Sequence, residues 1–181
     1  LTICANSLNN KSSSPNGATI LVGSTSQFFT GLGSAVVSGI YFVQGNANPL
    51  LATTVKADIS NCQLQSIGNN SNFFNLEAPG STIDNCYIYG QAFGNNPENA
   101  LIVGNGCTAD NIVYFTLGNN GTHVTVQAGG KLGRIVGTGL TGGGGLPFVI
   151  LNSGQLERVE TSYPVSPVIT NNGGTISNCT I

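Results

Sequence analysis

The chain has 181 residues, of which 26 are Gly and only 7% are charged, and its net charge is −2. That length allows one domain with a real core, solubilised by amides and hydroxyls where ordinary domains use roughly 25% charged residues. Five Lys+Arg give no basic patch for nucleic acid, and no apolar run reaches the roughly 18 residues of a membrane span.

In chain order, residues 1–17 stand apart. Leu1-Thr2-Ile3-Cys4 lacks the basic n-region of a signal peptide, and residues 9–17 form a polar breaker run of Asn, Ser, Pro and Gly. The segment reads as a flexible or partner-binding arm. With no Met anywhere, the chain reads as a processed product or a fragment. Regular structure is expected from Ala18 to Ile181. No stretch there has a helical period, and short β-branched and aromatic runs alternate with Gly and Asn clusters, the signature of strands and turns.

Within residues 18–181 one motif recurs. Ile59-Ser60-Asn61-Cys62-Gln63-Leu64, Ile83-Asp84-Asn85-Cys86-Tyr87-Ile88 and Ile176-Ser177-Asn178-Cys179-Thr180-Ile181 are close copies, and looser copies start at Val37, Ala109, Leu132 and Leu156. The steps between starts are 22, 24, 26, 23, 24 and 20 residues, the spacing of a solenoid. A second landmark keeps phase with it: an apolar strand before each of six copies, usually followed by Gly, at Phe28–Thr30, Phe73–Leu76, Ala100–Val103, Val124–Val126, Phe148–Leu151 and Val168–Thr170.

One repeat shows how a turn is built. Phe74 and Leu76 alternate with Phe73 and Asn75 across a first strand. Ala78-Pro79-Gly80 bends the chain into a second strand with Ile83 inward. Asn85 makes a sharp corner, because Asn tolerates the left-handed region and its amide reaches the neighbouring turn. Cys86 and Ile88 point inward from a third strand. Three strands per turn without a helix predict an all-β, right-handed parallel β-helix of about seven coils of 20–26 residues, a rod about 30 Å long at the ~4.8 Å strand spacing. Asn61, Asn85 and Asn111 then form one column, Ile59 and Ile83 another, and Leu64 and Ile88 a third.

The five cysteines, at positions 4, 62, 86, 107 and 179, are odd in number and contain no CxxC, so they read neither as a disulfide framework nor as a zinc site. Cys62, Cys86 and Cys179 recur at one repeat position and read as small buried thiols in one core column, suited to assembly in a reducing cytosol.

This Ile-x-Asn-Cys-x-Ile turn, with its preceding strand and Gly bend, resembles the right-handed, pectate-lyase-like parallel β-helix over roughly residues 18–181. That fold carries lyases, hydrolases, adhesins and viral spikes. The low charge, missing Met and cysteine-bearing core are most similar to the β-helical body of a bacteriophage tailspike, tail fibre or capsid-decorating protein. The resemblance implies a virion protein assembled in the host cytoplasm, typically a homotrimer, that contacts other virion proteins or binds, and sometimes cuts, host surface polysaccharide.

Enzymes of this fold need clustered acids, and here there are only Asp58, Glu77, Asp84, Glu98, Asp110, Glu157 and Glu160. Asp84 and Asp110 share an outward repeat position, with Cα atoms expected about 5 Å apart. They could form an acid/base pair or a cation site; a hydrogen-bonded pair beside the Asn corner is the favoured reading. His123, the single histidine, is placed outward at the start of a strand, in a surface or subunit-contact role. Arg134 and Arg158 replace the corner Asn and are expected to pair with Glu157 or Glu160, or else to line a sugar site. No residue is assigned as catalytic, cofactor-binding or metal-binding, and no cofactor is expected. The first-strand sheet is expected to turn Phe73, Asn75, Ile102, Thr125, Val149 and Leu151 outward, a row that needs cover. Tyr87, Tyr89 and Tyr114 could serve a neutral-sugar adhesin or pack at the core edge.

The reading is therefore a non-catalytic structural or receptor-binding virion component. The alternatives are a polysaccharide depolymerase of the same fold and a secreted adhesin or surface-layer repeat. Trimerisation is expected, because the apolar row needs a partner and the final repeat, with Ile176, Cys179 and Ile181 toward the core, carries no polar cap.

Overall fold

The structure is a computed structural model that describes residues 2–4, 19–22, 34–44, 51–53, 55–66, 74–90, 101–116, 124–138, 148–161 and 168–179. All secondary structure among the described residues is β, and every strand pair is parallel. The strands stack in three columns, so the chain is a parallel β-solenoid.

The first column is a six-stranded sheet of Leu51–Thr53, Phe74–Leu76, Leu101–Val103, Val124–Val126, Val149–Asn152 and Ile169–Asn172. The second starts at Thr2–Cys4, inside the segment read as an arm, and continues through Ser34–Ser38, Lys56–Ser60, Thr82–Asp84 and Thr108–Asp110. The third runs through Thr19–Val22, Tyr41–Gln44, Gln63–Ser66, Tyr87–Gly90 and Ile112–Thr116. In two coils the second and third strands are one, Lys131–Thr138 and Gln155–Thr161, and these join the columns into a single 13-stranded sheet.

Four turns are described without a break, at 74–90, 101–116, 124–138 and 148–161. This is fewer than the seven coils expected from the spacing. The motif copies at 37 and 176 mark strands that stack in register, but their turns have only two described sides. The first-column strand Leu51–Thr53 went unrecognised in the sequence because no glycine follows it before the next strand, Lys56–Ser60. The strand expected at 28–30 lies outside the described residues.

Two corners explain why the columns stay in register. Between the first and second columns the chain turns tightly on Ala78-Pro79-Gly80-Ser81, Gly104-Asn105-Gly106-Cys107 and Gln127-Ala128-Gly129-Gly130. The fourth residue of each donates its N–H to the carbonyl of the first, at 3.1, 3.1 and 2.9 Å. The third residue is Gly at φ +83, +70 and +75, as a type II turn demands. The next position must be small. Ala35, Ala57, Ser81, Cys107, Gly130, Gly154 and Gly174 stack there by register. A Cβ on Gly130 would lie 2.4 Å from the Val103 carbonyl oxygen.

The second corner is the Asn column expected from the sequence. Asn61, Asn85, Asn111 and Asn178 have φ of +52, +49, +50 and +54, and Gly39 above them has +71. Arg134 and Arg158 occupy the same register without a positive φ. Arg has no short amide to stabilise a left-handed residue, so the corner relaxes there and the strands on either side merge. Inside, Val37, Ile59, Ile83, Ala109, Leu132 and Leu156 form one buried column and Phe42, Leu64, Ile88 and Tyr114 another.

Candidate functional site

The described charged side chains gather on the outer face of the second column and its Asn corner, with Glu77 apart on a turn and Glu160 just past the corner on the third column, and each of these acids is engaged. Asp84 and Asp110 are register partners, as expected. Asn111 Nδ2 donates to Asp84 Oδ1 at 3.0 Å, while Asp110 Oδ1 accepts from the backbone N–H of Asn111 at 2.8 Å and of Arg134 at 2.7 Å. The Asp110 carboxylate lies over Gly133, where a Cβ would sit 2.3 Å from its Oδ1. Asp58 Oδ1 accepts from Thr82 Oγ1 at 3.0 Å. Glu77 accepts from the Asn75 amide. These acids cap corners and turns. Among the described residues no group of three or more His, Cys, Asp or Glu is placed to hold a metal ion.

The arginines form ion pairs. Arg134 grips Glu160 through Nε and Nη2, both at 3.1 Å, Arg158 Nε reaches the same carboxylate at 2.8 Å, and Lys131 pairs with Glu157 at 2.6 Å. The bonds from Arg134 hold the Glu160 carboxyl below its ordinary range. His123 and Phe73 lie outside the described residues.

The first-column face differs from the expected one. Val149 and Leu151 are fully buried and Ile150 points outward, in register with Thr125 and Ile102. Phe148-Val149-Ile150-Leu151 is apolar throughout, so alternation could not set its phase. Phe148 also turns into the core at the corner and packs on Tyr114 at 5.8 Å, while register with Val124 and Val126 keeps Val149 and Leu151 inward as in the other coils. Asn75 and Ile102 point outward as expected. So does Thr125, although it is only 9% exposed.

The third column carries the remaining surface chemistry. Tyr41, Gln63, Tyr87, Val113 and Val136 are successive register partners, and Gln65, Tyr89 and Phe115 form a second row two residues on. All eight are half-buried. Tyr89 and Phe115 stack at 5.3 Å and 14°, and the Tyr41 hydroxyl donates to Gln65 Oε1. Burial, helped by the neighbouring Tyr89, pushes the Tyr41 and Tyr87 phenols up, so they remain neutral donors at physiological pH. Tyr114 does not belong to this face. It lies in register with Ile88 and is 3% exposed, accommodated because its neighbour in the next coil is Gly137. Tyr41, Gln63, Gln65 and Phe115 escaped the sequence reading. The signal was present as the alternate positions after each corner Asn. Such a face offers flat aromatic surface and amide and hydroxyl groups, without formal charge except Glu160 at the end of one row.

The repeat cysteines sit as expected in the core for Cys62 and Cys86, which are buried register neighbours, while Cys179 is partly exposed. Cys107 is buried at the other corner. Their sulfurs donate weakly to the carbonyls of Ser60, Asp84 and Ala78 at 3.1, 3.2 and 3.2 Å. Comparison with protein-family models, with curated proteins and with solved structures finds no match to this chain.

Proposed function

We propose that the chain is a non-catalytic structural or receptor-binding component of a phage virion. The kinds in view are a tailspike, tail fibre or capsid decoration of the pectate-lyase-like right-handed β-helix type, working as a homotrimer against host surface polysaccharide or other virion proteins. The observation that carries the reading is the third-column row of Tyr, Phe and Gln. Stacked rings suit the C–H faces of neutral sugars, and amides and phenols suit their hydroxyls. The engagement of Asp84 and Asp110 with corner N–H groups favours binding over turnover. The free thiols of Cys62, Cys86, Cys107 and Cys179 fit assembly in a reducing cytoplasm.

The test is incubation with immobilised capsular or O-antigen polysaccharide, followed for both retention and new reducing ends or unsaturated products. Retention that falls in Tyr87→Ala and Tyr89→Ala, without product, is the expected result. Product formation lost on Asp84→Asn or Asp110→Asn would replace this reading with a depolymerase.

A further inference from the structure

The sequence contains four Asn-Gly pairs, at Asn16, Asn105, Asn120 and Asn172. In such a pair the Gly backbone nitrogen can attack the preceding side-chain carbonyl, because no Cβ hinders its approach. A C–N bond forms, the side-chain amide leaves as ammonia with the proton from the Gly nitrogen, and a succinimide results. Water then opens the ring at either carbonyl to give Asp or isoaspartate. The step needs only water and base, and it needs the Gly nitrogen free to react.

Two of the pairs are described, and the fold treats them in opposite ways. Both asparagines are exposed and both glycines have positive φ, +70 at Gly106 and +85 at Gly173. The Gly106 N–H donates to the Gly129 carbonyl of the next coil at 2.9 Å. The Asn105 side chain is also seated over Gly129, where a Cβ would lie 2.0 Å from its Oδ1. Attack at Asn105 must first break an inter-coil bond. The Gly173 N–H has no hydrogen-bond partner among the described residues. Next to it, Gly174 N–H is taken by Asn171 Oδ1 at 2.7 Å, and the Asn172 amide donates to Asn152 Oδ1 at 2.8 Å. Among the described residues, then, nothing holds the nucleophile at Gly173, and one bond holds the exposed amide beside it.

We propose that Asn172 is a built-in modification site, converting spontaneously to aspartate and isoaspartate while the fold protects Asn105. The change replaces the donor to Asn152 by a carboxylate. In the isoaspartate form it also adds a methylene to the backbone at the end of the strand Ile169–Asn172, where Asn172 pairs with Asn152. The consequence is local loosening of that coil and one added negative charge.

The test is to hold the folded 181-residue chain at mildly alkaline pH and follow each Asn-Gly peptide by mass spectrometry with isoaspartate-specific fragmentation, beside a sample unfolded in urea. In the folded protein Asn172 converts faster than Asn105 by about tenfold, the factor that ~1.4 kcal/mol of added barrier gives. In urea the two rates converge. Asn172→Gln, whose longer side chain closes the ring poorly, abolishes the product in that peptide. Equal rates in the folded chain, an intact Asn172, or product persisting in Asn172→Gln at the adjacent Asn171 would each overturn the proposal.

Discussion

Asn85 donates its side-chain amide to Asn61 Oδ1 across 2.7 Å, and both residues sit in the left-handed region at φ +49 and +52. One residue type thus supplies two things at once, a corner conformation and a bond to the previous coil. Replacing Asn85 by Ala loses the bond, worth about 1 kcal/mol, and adds a left-handed penalty of about 1 kcal/mol. Replacing it by Gly loses only the bond, since Gly carries no Cβ. Urea unfolding should therefore rank wild type above Asn85→Gly and Asn85→Ala lowest, with about 2 kcal/mol between the extremes. Equal stability of the two variants would show that the φ value carries no cost.

The opposite corner makes a sharper demand. At Gly130 an added Cβ meets two backbone oxygens, Val103 O at 2.4 Å and Gly104 O at 2.9 Å. Backbone already committed to an inter-coil bond at Val103 and to the turn bond at Gly104 cannot give way cheaply. Gly130→Ala should cost about 3 kcal/mol, against a smaller loss for Gly80→Ala, where the nearest atom is Lys56 Cε at 3.6 Å and the penalty is the positive φ alone. Thermal melts of the two variants check the order.

The solenoid was legible because its corners use residues with few substitutes. Asn in the left-handed region and Gly in the tight turn recur at a fixed spacing, and their recurrence names the fold before any strand is identified. Alternation is a weaker guide. It placed Ile83, Cys86 and Ile88 correctly, but it failed at Phe148-Val149-Ile150-Leu151, where four apolar residues leave the inward phase open and register with Val124 and Val126 in the neighbouring coil decides it. Alternation from Ile112 also turns Tyr114 inward, beside Ile88 by register. The third-column face was the least legible part. Its Tyr and Gln residues come from different coils, and only stacking shows that they share a surface.

Burial separates the thiols. Cys62, Cys86 and Cys107 are each no more than 2% exposed, and desolvation raises the Cys86 and Cys107 thiols above the ordinary range. Cys179 is partly exposed on the last described coil. Brief alkylation of the native chain should label Cys179 well ahead of these three, and urea should bring all four to similar rates. Early labelling of Cys86 would mean that the coils carrying Cys62 and Cys86 open together.

Acid should loosen the two coils that the Arg134–Glu160 pair joins. Glu160 lies between both arginines, and the hydrogen bonds from Arg134 hold its carboxyl below the ordinary carboxylate range. A carboxyl with a lowered folded-state pKa binds its proton more weakly in the native chain than in the unfolded one. Its contribution is present above the unfolded value and is lost as the pH falls through the folded one. The wild type should therefore be more stable than Glu160→Gln at neutral pH, with the difference shrinking as the solution is acidified below the usual carboxylate range. Because these groups face solvent, the neutral-pH difference should also narrow in high salt. Urea midpoints at several pH values and two salt concentrations test this. A stability gap independent of pH would assign the role of Glu160 to packing of its stem, not to its charge.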